Sequence, residues 1–305
     1  MMPRQSIDQL IKQFGTQEIL TFSENEHGAV KALVTTPTCT AEVYMQGAHL
    51  TRWQPKDQQD VLFVSAKSAY QSGKAIRGGV PLIFPWFGAN GSNPAAPAHG
   101  FVRTSQDWLL VEAGRSNDDY MLTFELTDSD VSKSFGYKEF KVTYKIAVGE
   151  ELELELIVEN QSHDILNFEE AFHTYLAVSD IDNVSVLGLT NTEYLDKTDG
   201  FKRKRQIEEA LRFTEETDRP YLNTLAKIEI DDTGWQRKII VDKLASNSTI
   251  VWNPWAEQTA KLSDMEPDGW RKMLCIETAN MNENLVALAP GSHHTMHASI
   301  EVSKL

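Results

Sequence analysis

The chain is short of cysteine, short of positive charge and without a long apolar run, and each shortage removes a class of function. Its two cysteines, Cys39 and Cys275, are far apart, and Cys275 sits in an apolar stretch. They read as free thiols of a reducing compartment rather than as a disulfide framework. Lys and Arg number 29 against 44 Asp and Glu, a formal charge of -15. Counterion release on nucleic acid or an anionic membrane needs clustered cations, so neither partner is expected. No window reaches the uninterrupted apolar length that spans a bilayer. The opening Met1 to Ile11 contains Asp8 and no continuous apolar stretch, unlike a signal peptide. The expected address is cytoplasmic.

Familiar catalytic fingerprints are missing too. There is no Gly-x-Ser-x-Gly elbow, and glycine spacing matches neither a phosphate-cradling P-loop nor a dinucleotide fingerprint. His293-His294-Thr295-Met296-His297 invites a metal reading but lacks the glutamate that the zincin pattern requires between its histidines. It reads instead as the start of the last strand. No cofactor and no metal are expected.

What is present is strand pattern. Val142, Tyr144, Ile146 and Val148 alternate with mostly polar partners, Gly149-Glu150 follows, and Leu152, Leu154, Leu156 and Val158 resume the alternation. This predicts a hairpin with one wet face. Similar runs are read at residues 18–23, 41–46, 61–64, 108–112, 121–126, 166–178, 184–189, 227–230, 238–241, 249–252, 273–277 and 295–302. Ile7, Leu10, Ile11 and Phe14 at helical spacing, stopped by Gly15, predict one short amphipathic helix. So many β-runs with little helix between them imply an all-β fold, a large antiparallel β-sandwich. Sandwiches of 305 residues need not split, so residues 1–305 are expected to form one domain, with residues 1–15 as a helical extension.

Against this background a few residues stand out. His173 lies among aromatic and apolar neighbours on an expected strand, a position for either a satisfied core histidine or a proton-transfer group. Glu169 and Glu170 could raise its pKa, but strand alternation lets at most one share its face. Glu277 ends an apolar run where an acid needs a partner or a task. Arg77 and Arg103 sit in glycine-containing loops where backbone can approach an anion. The segment from Gly73 to Arg103 has the many backbone constraints of a binding loop or of a rigid crossover. Asp218-Arg219-Pro220 reads first as a turn and second as an acceptor of sugar hydroxyls.

Taken together, Gly47-Ala48-His49-Leu50, Ile76-Arg77-Gly78-Gly79-Val80-Pro81, Phe84-Pro85-Trp86-Phe87-Gly88, His99-Gly100-Phe101-Val102-Arg103, Phe172-His173-Thr174-Tyr175 and Glu277-Thr278-Ala279-Asn280 resemble the hexose-6-phosphate mutarotases. These glucose-6-phosphate 1-epimerases belong to the galactose mutarotase-like superfamily, and the likeness runs from about Glu18 to the C-terminus. The resemblance implies the superfamily's large β-sandwich, with Glu277 as general base and His173 as general acid. It further implies Arg77 and Arg103 as phosphate ligands, and His99 and Asp218 facing the sugar. Ring opening removes the O1 proton and protonates O5, so a carboxylate and an imidazolium across one sugar ring suit it. The expected partner is a small-molecule hexose phosphate, and the chain is expected to be a monomer. The competing readings are an aldose 1-epimerase for unphosphorylated sugars, a silent carbohydrate-binding module, and a glycoside-processing enzyme. The last usually needs two carboxyl groups flanking the bond.

Overall fold

A computed structural model of the chain describes residues 5–305, and alternation of side chains decides its architecture. In the strands Phe140–Val148 and Leu152–Asn160 the apolar positions turn inward. On the wet face Lys145 meets Glu155 at 2.6 Å and Lys141 meets Glu159 at 3.4 Å. The expected hairpin is present, paired from Phe140 opposite Asn160 to Val148 opposite Leu152. It lies within an eight-stranded sheet whose order is Val184–Leu187, Ile228–Asp232, Arg237–Leu244, His293–Lys304, Leu152–Asn160, Phe140–Val148, Asp119–Thr127, Leu109–Ser116.

A second eight-stranded sheet runs Lys202–Arg205, Glu193–Asp196, Thr217–Leu222, Ser248–Asn253, Met273–Asn280, Glu170–Phe172, Leu82–Ile83, with Tyr175–Ala177 also paired to Met273–Asn280. A four-stranded meander of Leu20–Glu24, Val30–Thr35, Cys39–Tyr44 and His49–Pro55 completes the larger sheets. The ladders are antiparallel. Leu154, Phe124 and Ile300 of the first large sheet share one apolar cluster with Leu274, Ile276 and Phe172 of the second, and the rings of Tyr144 and Phe172 meet across it at 5.8 Å. The all-β, antiparallel sandwich expected from the sequence is the observed fold.

Met273–Asn280 is buried at every position. Leu274 and Ile276 enter the main core, whereas Cys275 and Ala279 alternate to the other face, where each joins a smaller apolar cluster. Glu277 comes out between them.

Some expectations need correction. The run 61–64 forms only isolated bridges, Leu62 to Leu176 and Val64 to Gly78. The run 166–178 breaks into three short strands, Leu166–Phe168, Glu170–Phe172 and Tyr175–Ala177. Asp218-Arg219-Pro220 is not a turn but part of the strand Thr217–Leu222. Its flank toward Glu193–Asp196 is paired only at Tyr194 and Tyr221, which leaves room for a residue without an N–H. The helix spans Ile7–Phe14 with a Ser6/Gln9 capping box. Leu10 is buried, but Ile11 is 48% exposed and does not join the apolar stripe. Residues 1–4 of the expected extension lie outside the described residues. Cys39 and Cys275 are free and buried. Among the described residues no helix is long and apolar enough to cross a membrane.

Candidate active site

Strand register brings the two candidate proton carriers together. Phe172 lies opposite Thr278 and Tyr175 opposite Cys275, one continuous register interrupted only at His173-Thr174. Continuing it across the gap sets His173 opposite Glu277, and cross-strand neighbours share a face. His173 Nε2 is 3.4 Å from Glu277 Oε1. On its other flank His173 continues the pairing with Leu82–Ile83, its backbone N–H donating to the Pro81 carbonyl at 3.0 Å and tying the strand to the loop that carries Arg77.

The adjoining strands extend this face. Ile250 is opposite Glu277, Trp252 opposite Cys275, and Asp218 opposite Trp252. The Tyr175 ring stacks on His173 with centroids 4.8 Å apart and planes 8° off parallel. Trp252 stands edge-on to both, at 6.0 Å from His173 and 5.9 Å from Tyr175. Asp218 Oδ2 accepts Lys197 Nζ at 2.6 Å.

The loop from Gly73 to Arg103 covers one side. Arg77 is fixed at its backbone by the Ser68 hydroxyl, which accepts its N–H at 3.0 Å. Gly78 follows with φ +120°, and a Cβ there would lie 2.2 Å from the Phe63 carbonyl oxygen; only glycine lets the two chains come so close. His49, neutral because burial brings its pKa down to about 4, donates from Nε2 to the Gly78 carbonyl at 2.7 Å. Further along, His99 N–H donates to Gly88 O at 2.7 Å, and Gly88 N–H donates to His99 Nδ1 at 3.3 Å. That bond leaves the His99 proton on Nε2. The His99 ring lies edge-on to His173 at 5.5 Å. Arg103 donates to the Ala98 carbonyl at 2.9 Å.

Electrostatics couple these groups. Burial, then His99, Arg103 and Arg77, hold His173 well below the ordinary histidine pKa. Burial, then Asp218, push Glu277 well above the carboxylate range, with Lys197 pulling the other way. Burial followed by Arg103, Lys197 and Arg77 brings His99 down to about 3. Contacts tie His99 to His173 and His173 to Glu277, Arg77 joins them through Tyr175, and Arg103 and Asp218 act on the pair through their charges. His173 Nδ1 and Glu277 Oε2 are buried and have no hydrogen-bond partner, so the pair keeps one unspent atom on each side chain. Arg77 also edges a concavity of about 490 Å³ that Lys67, Lys74 and Lys261 line with it.

Neither glutamate beside His173 in sequence touches it. Glu169 accepts the Phe87 and Asn282 backbone N–H groups at 2.7 and 2.6 Å. Glu170 meets His294 at 2.7 Å and the Asn280 side chain at 2.9 Å. The pair His173 and Glu277 is also closer than two groups flanking a sugar ring. Because O1 and O5 are both bonded to C1, two groups in contact can still serve them. Sequence reasoning missed Tyr175, Trp252, Lys197 and Asp264, the last an ion-pair partner of Arg77 at 3.1 Å. Period-2 spacing from His173 flags Tyr175, whereas the loop residues Lys197 and Asp264 leave no signal. Cys275 lies with His173 and Glu277 so that their donor atoms fall within 4.8 Å of one another. Burial raises the Cys275 thiol well above its ordinary value, which works against the thiolate that a metal would require.

Comparison with known proteins adds an independent line. A family model described as aldose 1-epimerase matches residues 31–301. A protein of Escherichia coli (strain K12) named "Putative glucose-6-phosphate 1-epimerase" is 35% identical over 268 residues, covering 88% of each chain. One of the same name from Cenchrus ciliaris is 30% identical, over 83% of this chain and 78% of that one. Among solved structures, a "putative mutarotase (YeaD)" of Salmonella typhimurium superposes with a TM-score of 0.88 at 30% identity, covering 94% of both chains. The galactose 1-epimerase of Lactobacillus acidophilus NCFM, at 11% identity and a TM-score of 0.68 over 94% of this chain and 99% of that one, shares the fold.

Proposed function

Because this chain belongs to the aldose 1-epimerase family, we propose that it interconverts the α and β anomers of hexose 6-phosphates, glucose 6-phosphate foremost, by acid/base ring opening and reclosure. That it is an epimerase exchanging sugar anomers follows from the family. The observation that carries the mechanism is the buried contact of His173 with Glu277, 3.4 Å apart, with one free polar atom on each.

In this reading Glu277 takes the proton of the O1 hydroxyl while His173 gives a proton to ring O5, breaking the C1–O5 bond and leaving an aldehyde. Rotation about C1–C2 presents the other carbonyl face. The C5 hydroxyl then attacks C1, returning its proton to His173 as Glu277 protonates the new O1. Atoms and protons balance over the cycle, and each group ends as it began. His99, with its proton on Nε2, and Asp218, held by Lys197, face the sugar hydroxyls. Arg77 and Arg103 bind the phosphate, whose nearly two charges suit the guanidinium fork. On a chain of charge -15 this local cluster, helped by Lys67, Lys74 and Lys261 beside Arg77, opposes a repulsive field.

The test compares substrates. Arg77→Ala and Arg103→Ala should each lower kcat/KM for glucose 6-phosphate about tenfold or more beyond any loss for glucose, about 1.4 kcal/mol of selective binding. Anomer exchange followed by NMR against the spontaneous rate measures both. Equal losses for both sugars would favour an epimerase of unphosphorylated aldoses. Wild-type exchange no faster than the spontaneous rate would favour a silent sugar-binding module.

A further inference from the structure

The Arg77 guanidinium is not loose. Its Nε donates to Asp264 Oδ1 at 3.2 Å and its Nη2 lies 3.1 Å from Asp264 Oδ2, a side-on, two-point grip. Nη1 donates to the Tyr175 hydroxyl at 3.2 Å. An arginine fork has five N–H donors, so these contacts leave a donor on each terminal nitrogen. Tyr175 is 2% exposed. Its oxygen accepts from Arg77, and its own hydroxyl hydrogen meets no acceptor among the described residues. The same ring lies flat on His173 at 4.8 Å. A continuous path thus runs from Asp264 through Arg77 and Tyr175 to the imidazole beside Glu277.

We propose that Tyr175 and Asp264 determine phosphate specificity: Asp264 locks the fork side-on so that its terminal edge faces the phosphate, and the Tyr175 hydroxyl donates to the same phosphate while its ring fixes His173. Asp264 is a positioning residue and Tyr175 a further binding residue. This rests on the phosphate reading above. Three features favour a buttress over a plug. Asp264 takes the side-on edge and leaves the terminal one. Tyr175 needs an acceptor that an anion supplies. Burial keeps the phenol in its donating form, raising its pKa more than Arg77 lowers it.

The experiment measures kcat and KM for glucose 6-phosphate and glucose in the wild type, Asp264→Asn and Tyr175→Phe, together with competitive inhibition by inorganic phosphate. Both variants should lower the phosphate-to-free-sugar ratio of kcat/KM about tenfold, mainly through KM, and weaken inhibition by inorganic phosphate by a similar factor. Tyr175→Phe retains the ring and its stacking, so it remains informative if Asp264→Asn folds poorly. A rise in affinity for glucose 6-phosphate on Asp264→Asn would make Asp264 a plug and overturn the proposal. An unchanged ratio in Tyr175→Phe would overturn it as well. A wild type that does not prefer the phosphorylated sugar would instead defeat the phosphate reading itself, a result visible before any variant is made.

Discussion

A proton shared by His173 and Glu277 has two places to sit. The neutral pair and the ion pair hold the same number of protons, and burial disfavours separated charge on either group. The proposed chemistry uses the ion-pair form, which a polar substrate beside the pair would favour. Replacing His173 by Ala or Glu277 by Gln should lower turnover by about 10² to 10⁴, the usual general acid/base contribution. A fully active variant would remove that residue from the mechanism. The same pair sets the pH dependence. A second proton is opposed by burial and by Arg103 and Arg77, so the acid limb of kcat/KM should lie below the ordinary histidine value of 6.5. Loss of the last proton is opposed by burial and Asp218, so the alkaline limb should lie well above the ordinary carboxylate value of 4.5. A pH–rate profile against the spontaneous background locates both, and an acid limb above 6.5 would contradict this electrostatic account.

Strands and one loop hold these groups in place. Gly100 lies between His99 and Arg103 at φ +72°, and a Cβ there would fall 1.8 Å from the Phe84 carbonyl oxygen. Gly100→Ala should therefore destabilise by about 1–3 kcal/mol or more through backbone strain alone, lower Tm by several degrees, and reduce kcat/KM because both neighbours move. Thermal unfolding and kinetics on one preparation test both effects. On the core side, Glu170 is fully buried and joins the last strand through His294 at 2.7 Å. Register sets Glu170 opposite Asn280, on the strand that leads into His173 and the strand that carries Glu277. His294→Ala leaves the buried Glu170 side chain with Asn280 as its remaining partner and should cost about 1–3 kcal/mol, read as a fall in the denaturant midpoint. The alternation of the Phe140–Asn160 hairpin and the apolar run 273–277 that ends at Glu277 were legible in the sequence. The short strands Leu82–Ile83, Glu193–Asp196 and Lys202–Arg205 were not, because they hold too few residues for a period to show.

At the scale of the molecule, the face that carries the site is backed by the core. Ile276, 1% exposed, lies beside Glu277 on the core side of the same strand. Ile276→Ala should cost about 2–5 kcal/mol, lowering the denaturant midpoint without changing the slope. A variant of unchanged midpoint would mean that this sheet contributes little to overall stability. The formal charge of -15 opposes the approach of an anion, and Arg77 with Lys67, Lys74 and Lys261 beside it provides local cations against that field.

By itself the sequence determined the all-β class, the core alternation, the free thiols and the residue types able to carry acid/base and anion chemistry, because these are properties of local pattern and composition. It also singled out His173, Glu277, Arg77, Arg103, His99 and Asp218, through motifs whose order resembles one family. Only the tertiary structure decided that His173 and Glu277 touch, that Glu169 and Glu170 serve other partners, that Asp218 lies in a strand beside Lys197, and that Asp264 and Tyr175 grip Arg77. Those facts follow from antiparallel register and from loops folding back over one sheet. Pairing between strands so distant in the chain leaves no trace in the pattern of either one.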